Sequence, residues 1–416
     1  MRGSQTVATV LALAAVTALR AQAADVSVYS NTLVGGRPDI VDGQVKTVVP
    51  LYQLVGVRAK NIEVPGFDSL GVAVDAWGGL TLPNSSQGVA AGDVNLAFIE
   101  GSTLKKRLKL RLGRQFVVGG VARAMYFDGL FAEYRSHLGI GLSAFTGIPV
   151  DRRFSNFIQG DFVVGTRAFF APSFKTEIGA SFIHMLQRGA VARQDAGLDL
   201  RWQPFRSLGV GGAFVWSIAD ARMAEFDVGP RWTPSDNFEV LLNYRRTAPD
   251  LFLPRNSIFT VFADTSRDDA GGNITWQPAK FLTLFADARV LWLNGQPGFD
   301  ASGRVQLRPF RSPSTTLTAQ YRRLQVPSSN GFHQARLAAR HVLPSGFGLS
   351  VDFETYALDQ PVRGQTLSLS MSATATYTIS KQWFVGATIF AATTPTFESR
   401  YEAVAKLTFL FPEGHH

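Results

Sequence analysis

Arginine is the side chain with the most chemistry to offer here: Arg supplies 32 of the 41 basic residues and Lys only 9. Its planar fork stays charged and makes paired hydrogen bonds to carboxylate, sulfate or phosphate. Other reactive types are scarce. The absence of Cys excludes disulfides, thiol nucleophiles and thiolate metal sites. Of the six His, two end the chain (His415, His416). His333 and His341 fall on an apolar phase, which suits an interface better than catalysis. There is no Gly-x-Ser-x-Gly elbow and no His-Glu-x-x-His. Gly119-Gly120 and Gly271-Gly272 lack the strand-to-helix setting of a phosphate loop. The expectation is a non-enzyme with no catalytic residues, no cofactor and no metal.

The elements carrying these arginines alternate with period two. In Phe281–Leu293, Leu282, Leu284, Ala286, Ala288, Val290 and Trp292 oppose Thr283, Asp287 and Arg289. In Asn237–Thr247, Phe238, Val240, Leu242 and Tyr244 oppose Glu239, Asn243 and Arg245. Gln365–Tyr377 and Ala196–Gln203 repeat the pattern, and Tyr401, Ala403, Ala405, Leu407, Phe409 and Phe411 share one face of the last segment. Alternation over about ten residues marks a strand with one apolar and one polar face. A final alternating strand ending in Phe resembles the assembly signal of bacterial outer-membrane barrels.

Punctuation is regular too. Pro172, Pro204, Pro234, Pro278, Pro309 and Pro344 lie 32, 30, 44, 31 and 35 residues apart, the spacing of one strand pair plus its far loop. Trp stands two residues before Pro204, Pro234 and Pro278, as in an interfacial girdle. Pro is expected at the second position of a tight turn. Ten short turns, near 63–68, 102–107, 136–138, 171–175, 203–207, 233–237, 277–281, 309–314, 343–347 and 379–383, imply about twenty strands. The segments 25–33 and 46–62 raise this to 22. A soluble propeller or sandwich also spaces its turns evenly, but does not demand an apolar face on every strand.

Composition agrees: 46% apolar and 18% charged, with net charge +9, yet no mature segment approaches the ~20 apolar residues of a spanning helix. Met1–Gln5 is basic, Thr6–Leu19 apolar, and Ala21-Gln22-Ala23 offers a small-x-small cleavage site. The expectation is a signal peptide over 1–23 and one domain over 24–416. That domain is an all-β, transmembrane, antiparallel up-and-down β-barrel of 18–22 strands in the bacterial outer membrane, bounded by outer-membrane lipid. The connections 83–92, 117–124, 148–159 and 250–266 are expected outside the cell or folded into the lumen.

The polar phase gives a provisional substrate-contacting lumen of Arg111, Arg135, Arg167, Arg245, Arg289, Arg304, Arg322, Arg336 and Arg340. Lys109, Arg201, Arg231, Arg308 and Arg400 accompany them, with acids that include Asp199, Glu225, Asp227, Glu239, Asp287, Asp352, Glu354 and Glu402. Acids on neighbouring strands would pair with many of these cations. The remaining basic bias would concentrate anions.

Leu110-Arg111-Leu112-Gly113-Arg114-Gln115-Phe116-Val117, followed by Tyr126-Phe127-Asp128-Gly129-Leu130, resembles the alginate-export family of outer-membrane barrels. The resemblance covers about 25 of the 416 residues and marks Arg114 and Asp128 as motif positions. Arg114 falls on the apolar phase of its strand, at a place suited to constraining a loop. The resemblance implies an Arg-rich pore that conducts an anionic polysaccharide outward; the broader expectation is secretion of an exopolysaccharide, anionic or neutral, with a periplasmic polysaccharide-export protein as partner, and nucleic acid is not expected outside the cytoplasm. The rival expectations are an anion-selective diffusion porin and a non-conducting scaffold for a motility or adhesion machine.

Overall fold

A repeat of two sends successive side chains to opposite faces of a pleated ribbon, and branched or aromatic residues fit its surface. The computed structural model describes residues 25–411 other than 42–43, 86–87, 151–160, 174, 253–265, 294, 310–313, 327–329 and 396. The expected leader, most of the 148–159 connection and nearly all of the 250–266 connection lie outside the described residues.

The strands begin with β1 (Asp25–Val41), β2 (Gln44–Ile62), β3 (Ser69–Ser85) and β4 (Gly88–Thr103). Next are β5 (Leu108–Gly119), β6 (Arg123–Arg135), β7 (Ile140–Pro149), β8 (Phe162–Ser173) and β9 (Thr176–Gln187). β10 (Ala190–Phe205), β11 (Leu208–Ser217), β12 (Arg222–Ser235), β13 (Phe238–Thr247) and β14 (Arg267–Ala279) follow. Then come β15 (Leu282–Leu293), β16 (Gln296–Leu307), β17 (Thr315–Gln325) and β18 (Phe332–Val342). The last four are β19 (Phe347–Val362), β20 (Gln365–Thr378), β21 (Trp383–Thr394) and β22 (Phe397–Phe411).

All 22 strands form one sheet in chain order, antiparallel throughout, and β1 closes on β22 from Val28↔Phe411 to Gly36↔Ala403. The count reaches the upper end of the expected range because β1 and β2 both form, although apolar residues such as Tyr52 and Leu54 blur the alternation of β2. No described helix is long and apolar enough to cross a membrane. The chain crosses with strands, whose backbone groups are all paired once the sheet is closed.

One face carries the exposed apolar side chains, among them Leu198, Leu200 and Trp202 of β10 and Leu349, Val351 and Phe353 of β19. Trp202, Trp232, Trp276 and Trp383 stand on this face beside the short turns, as an aromatic girdle. A continuous apolar exterior of this extent is incompatible with water and matches lipid. This is an outer-membrane β-barrel of the bacterial envelope.

All ten expected turns lie at one end of the barrel, and the two longest connections, after β7 and after β13, lie at the other, which makes the first end periplasmic. The proline expectation needs correction. Pro172, Pro204, Pro234 and Pro278 are not turn residues but lie within the last residues of β8, β10, β12 and β14. There the ladder skips, between Trp202 and Phe205, Trp232 and Ser235, and Trp276 and Ala279. A residue with no N–H fits where the ladder has no bond to make. The expected 83–92 loop is also corrected: β3 runs to Ser85 and β4 starts at Gly88.

Candidate functional site: the arginine-lined lumen

The inward phase of the strands carries most of the arginines, and most of those are matched by acids. Arg111 meets Glu100 through Nε at 2.9 Å and Nη2 at 2.6 Å, with Lys109 2.9 Å from the same carboxylate. Arg167 donates to Asp199 through Nε at 3.1 Å and to Glu177 at 2.6 Å. Arg245 reaches Glu225 at 2.9 Å and lies 4.0 Å from Asp227. Arg289 is bidentate to Asp287 at 3.1 and 2.7 Å, and Arg322 to Asp300 at 2.8 and 2.7 Å. Arg336 binds Asp352 through Nε at 2.9 Å, and Arg400 binds Glu402 at 2.7 Å.

Arg135 lies 3.5 Å from Glu133 and over the Phe169 ring at 4.9 Å. Arg304 sits over Phe285 at 4.8 Å, and Arg340 occupies the inward register between Thr316 and Ser350. Among the described residues these last two make no ion pair. The nine expected lumenal arginines therefore do share one face, but seven of them have a carboxylate partner. Half-exposed pairs of this kind contribute about 0–1 kcal/mol each. Their consequence is electrostatic: the wall presents many polar hydrogen-bonding groups with much of its positive field cancelled locally.

A short turn enters the lumen between β5 and β6. After Gln115, β5 runs into a short 3-10 turn, Gly120–Ala122, that folds into the lumen. The Val121 amide donates to Ser181 Oγ of β9 at 3.0 Å, and Arg193 of β10 donates to the Val121 carbonyl at 2.6 Å. Arg123 lies 2.5 Å from Glu225 of β12. Val121 and Ala122 are buried in a cluster with Phe127, Phe145, Val163, Ile183, Val215, Ala224, Ala248 and Leu251, drawn from the inner wall and the connection after β13. The turn thus occupies part of the lumen between β5 and β13. Gly120 permits this approach: its φ is +53°, and a Cβ there would stand 2.5 Å from Ser181 Oγ. Beneath the turn remains a cavity of about 280 Å³, lined by Lys109, Arg111, Phe131, Glu133, Arg167 and Ser181.

Of the two places expected for 117–124, outside the cell or in the lumen, the structure gives the lumen to its centre. The signal for its contacts was faint: Gly119-Gly120 in the sequence, with Arg123, Arg193 and Asp195 unremarked.

The Gly-Arg-Gln stretch ties β5 to its neighbours ahead of this turn. Gly113 has φ +120°, and a Cβ there would meet the Ala97 carbonyl oxygen at 2.2 Å, so only glycine fits. Arg114 lies on the outward phase, as its sequence position indicates. It clamps β6 and β4 by bonds to Asp128 at 2.8 and 2.9 Å, to Asp93 at 3.0 Å and to the Val94 carbonyl at 2.8 Å. Gln115 points inward, fully buried, and donates to the Gly129 carbonyl at 2.9 Å. Arg114 and Asp128 therefore hold three strands together and do not face the pore. Arg114→Ala is expected to lower barrel stability by about 1–3 kcal/mol, because it leaves two carboxylates without their cation. Ion selectivity should stay unchanged. Heat-dependent gel migration and bilayer reversal potentials measure the two quantities.

No family model matches the chain, and no curated protein matches its sequence. Among solved structures, the barrel is similar to the P pilus usher (PapC) translocation pore. The TM-score is 0.55 at 8% identity, over 93% of this chain and 100% of that one. Acinetobacter baumannii OccAB4 aligns with TM-score 0.49 at 10% identity over 94% and 99% of the two chains. Pseudomonas aeruginosa OccK8 (OprE) aligns with TM-score 0.47 at 9% identity over 94% and 98%. At such identities the usher likeness concerns the fold alone.

Proposed function

We propose that this barrel is a passive outer-membrane conduit for secretion of a polysaccharide, anionic or neutral, and has no enzymatic activity. The observation that carries this reading is the inner wall of Arg–carboxylate pairs from β15 to β22, where Arg289, Arg322, Arg336 and Arg400 each stand beside an acid. Sugar hydroxyls both donate and accept, so a wall of paired donors and acceptors offers them many weak, exchangeable contacts. A compensated wall also lacks deep charge traps that would stall a polymer.

Twenty-two strands at a 35–45° tilt set opposite backbones about 45 Å apart if the section is circular, wide enough for a hydrated chain beside the inward turn. In this reading a periplasmic polysaccharide-export protein delivers the polymer, and synthesis drives it.

The second reading is an anion-selective diffusion porin. It is favoured by the cavity under the turn, where Lys109, Arg111 and Arg167 converge. Gene deletion separates the two. Secretion predicts loss of surface polysaccharide with small-solute uptake intact; a diffusion porin predicts the reverse. If neither changes and motility or adhesion fails, a scaffold role replaces both.

A further inference from the structure

The outward face of β16–β19 departs from a uniform apolar belt. Its side chains stand in rows set by the register. The first row is Leu307, Leu317, Ala339 and Val351; the next is Val305, Ala319, Leu337 and Phe353. The small residues Ala319 and Ala339 leave a dent between these larger neighbours, an apolar groove of about 360 Å³ opening outward.

Above it toward the extracellular end lies a row with Tyr321 and Ala335, then one with Arg323 and His333. Tyr321 Oη and His333 Nδ1 are 2.5 Å apart. Arg323 is bidentate to Asp359 through Nη1 at 2.6 Å and Nη2 at 2.8 Å, and His333 Nε2 lies 4.0 Å from that carboxylate. A polar cluster thus caps an apolar groove on the same strands, on the face turned to lipid.

The spacing fits an acyl chain hung from the outer rim. From the Ala319 row to the Arg323 row is four residues, or about 14 Å along the strand and about 10 Å along the membrane normal at a 40° tilt. Half of a ~25 Å apolar band is about 12 Å, so the upper row of the groove lies in the outer leaflet and the Leu317 row, next to the periplasmic turn, lies below it. The two bonds to Asp359 use two of the five N–H donors of Arg323, and three remain to serve an acceptor arriving from the membrane.

We propose that this face binds a phosphorylated, multiply acylated glycolipid of the outer leaflet. An acyl chain lies in the groove against Leu317, Leu337 and Phe353, and a phosphate takes the free donors of Arg323, with Tyr321 and His333 beside it. An amphiphile is the occupant that matches both parts at once: apolar contact is confined to the lower rows and charge to the top. Charge-assisted bonds to phosphate from a guanidinium are strong where water is thin.

The test is native mass spectrometry of the full barrel in detergent with lipid A as probe, titrated against its deacylated, still phosphorylated sugar. Wild type is expected to retain lipid A and not the deacylated form. Arg323→Gln is expected to weaken retention about tenfold. A double variant, Ala319→Leu with Ala339→Leu, fills the groove from outside the ion pair and is expected to weaken it comparably. Heat-dependent gel migration verifies that each variant is folded. Equal retention by wild type and both variants overturns the proposal. Equal binding of the deacylated sugar overturns the groove's part in it. If filling the groove instead splits an oligomer and leaves lipid unaffected, the face is a contact between copies.

Discussion

Val121→Asp is expected to raise single-channel conductance about twofold, as the turn Gly120–Ala122 leaves the lumen and the sector from β5 to β13 opens. The direction follows from comparing magnitudes. Val121 is fully buried among Phe127, Ile183 and Val215. An unpaired carboxylate there costs several kcal/mol. The hydrogen bonds that hold the turn, from the Val121 amide to Ser181 and from Arg193 to the Val121 carbonyl, contribute about 0.5–3 kcal/mol each. Expulsion of the turn returns the carboxylate to water, and the strands stay in place because they are held by their own ladders. Val121→Ile keeps the apolar contact and is expected to leave conductance near wild type. Planar-bilayer recordings give the readout. An unchanged conductance from a folded Val121→Asp barrel would show that the inward turn does not limit flow.

The second large effect concerns sign. Combining Arg289→Glu, Arg322→Glu and Arg336→Glu is expected to reduce the anion-to-cation permeability ratio by roughly tenfold. Each change replaces a compensated pair with two adjacent carboxylates, at Asp287, Asp300 and Asp352. The opposite edit, Asp300→Asn with Asp352→Asn, unmasks two arginines and is expected to raise the ratio. Reversal potentials under a salt gradient measure both. Selectivity that moves in neither direction would place the current path away from the β15–β19 wall. Salt should weaken both shifts, since charges facing an aqueous lumen are screened within about 10 Å at 0.1 M.

Much of the barrel was legible because its determinants are local. A strand exposed to lipid on one side and to water on the other must alternate, so Leu282 to Trp292 and Tyr401 to Phe411 declare both their conformation and their outward side. The ten periplasmic turns were legible for a related reason: tight turns need Gly, Pro, Asn, Asp or Ser and recur once per strand pair. The place of proline was misread, because a turn and the bulge just before it favour the same residue type. Only the hydrogen-bond ladder distinguishes them. His333 and His341 were read as interface residues from their phase, and they pair on the outward face with Tyr321 and Thr315.

The sequence by itself determined an all-β membrane barrel and the face on which its nine lumenal arginines stand, because both follow from a period of two along each strand. Only the tertiary structure decided what those arginines meet. Arg322 with Asp300 and Arg167 with Asp199 are separated by 22 and 32 residues, and their contact depends on register between strands, which alternation leaves free. The inward turn at Val121 was likewise decided in three dimensions. Its partners come from β9, β10 and β12, and they meet only when the closed sheet curves them around one sector of the lumen.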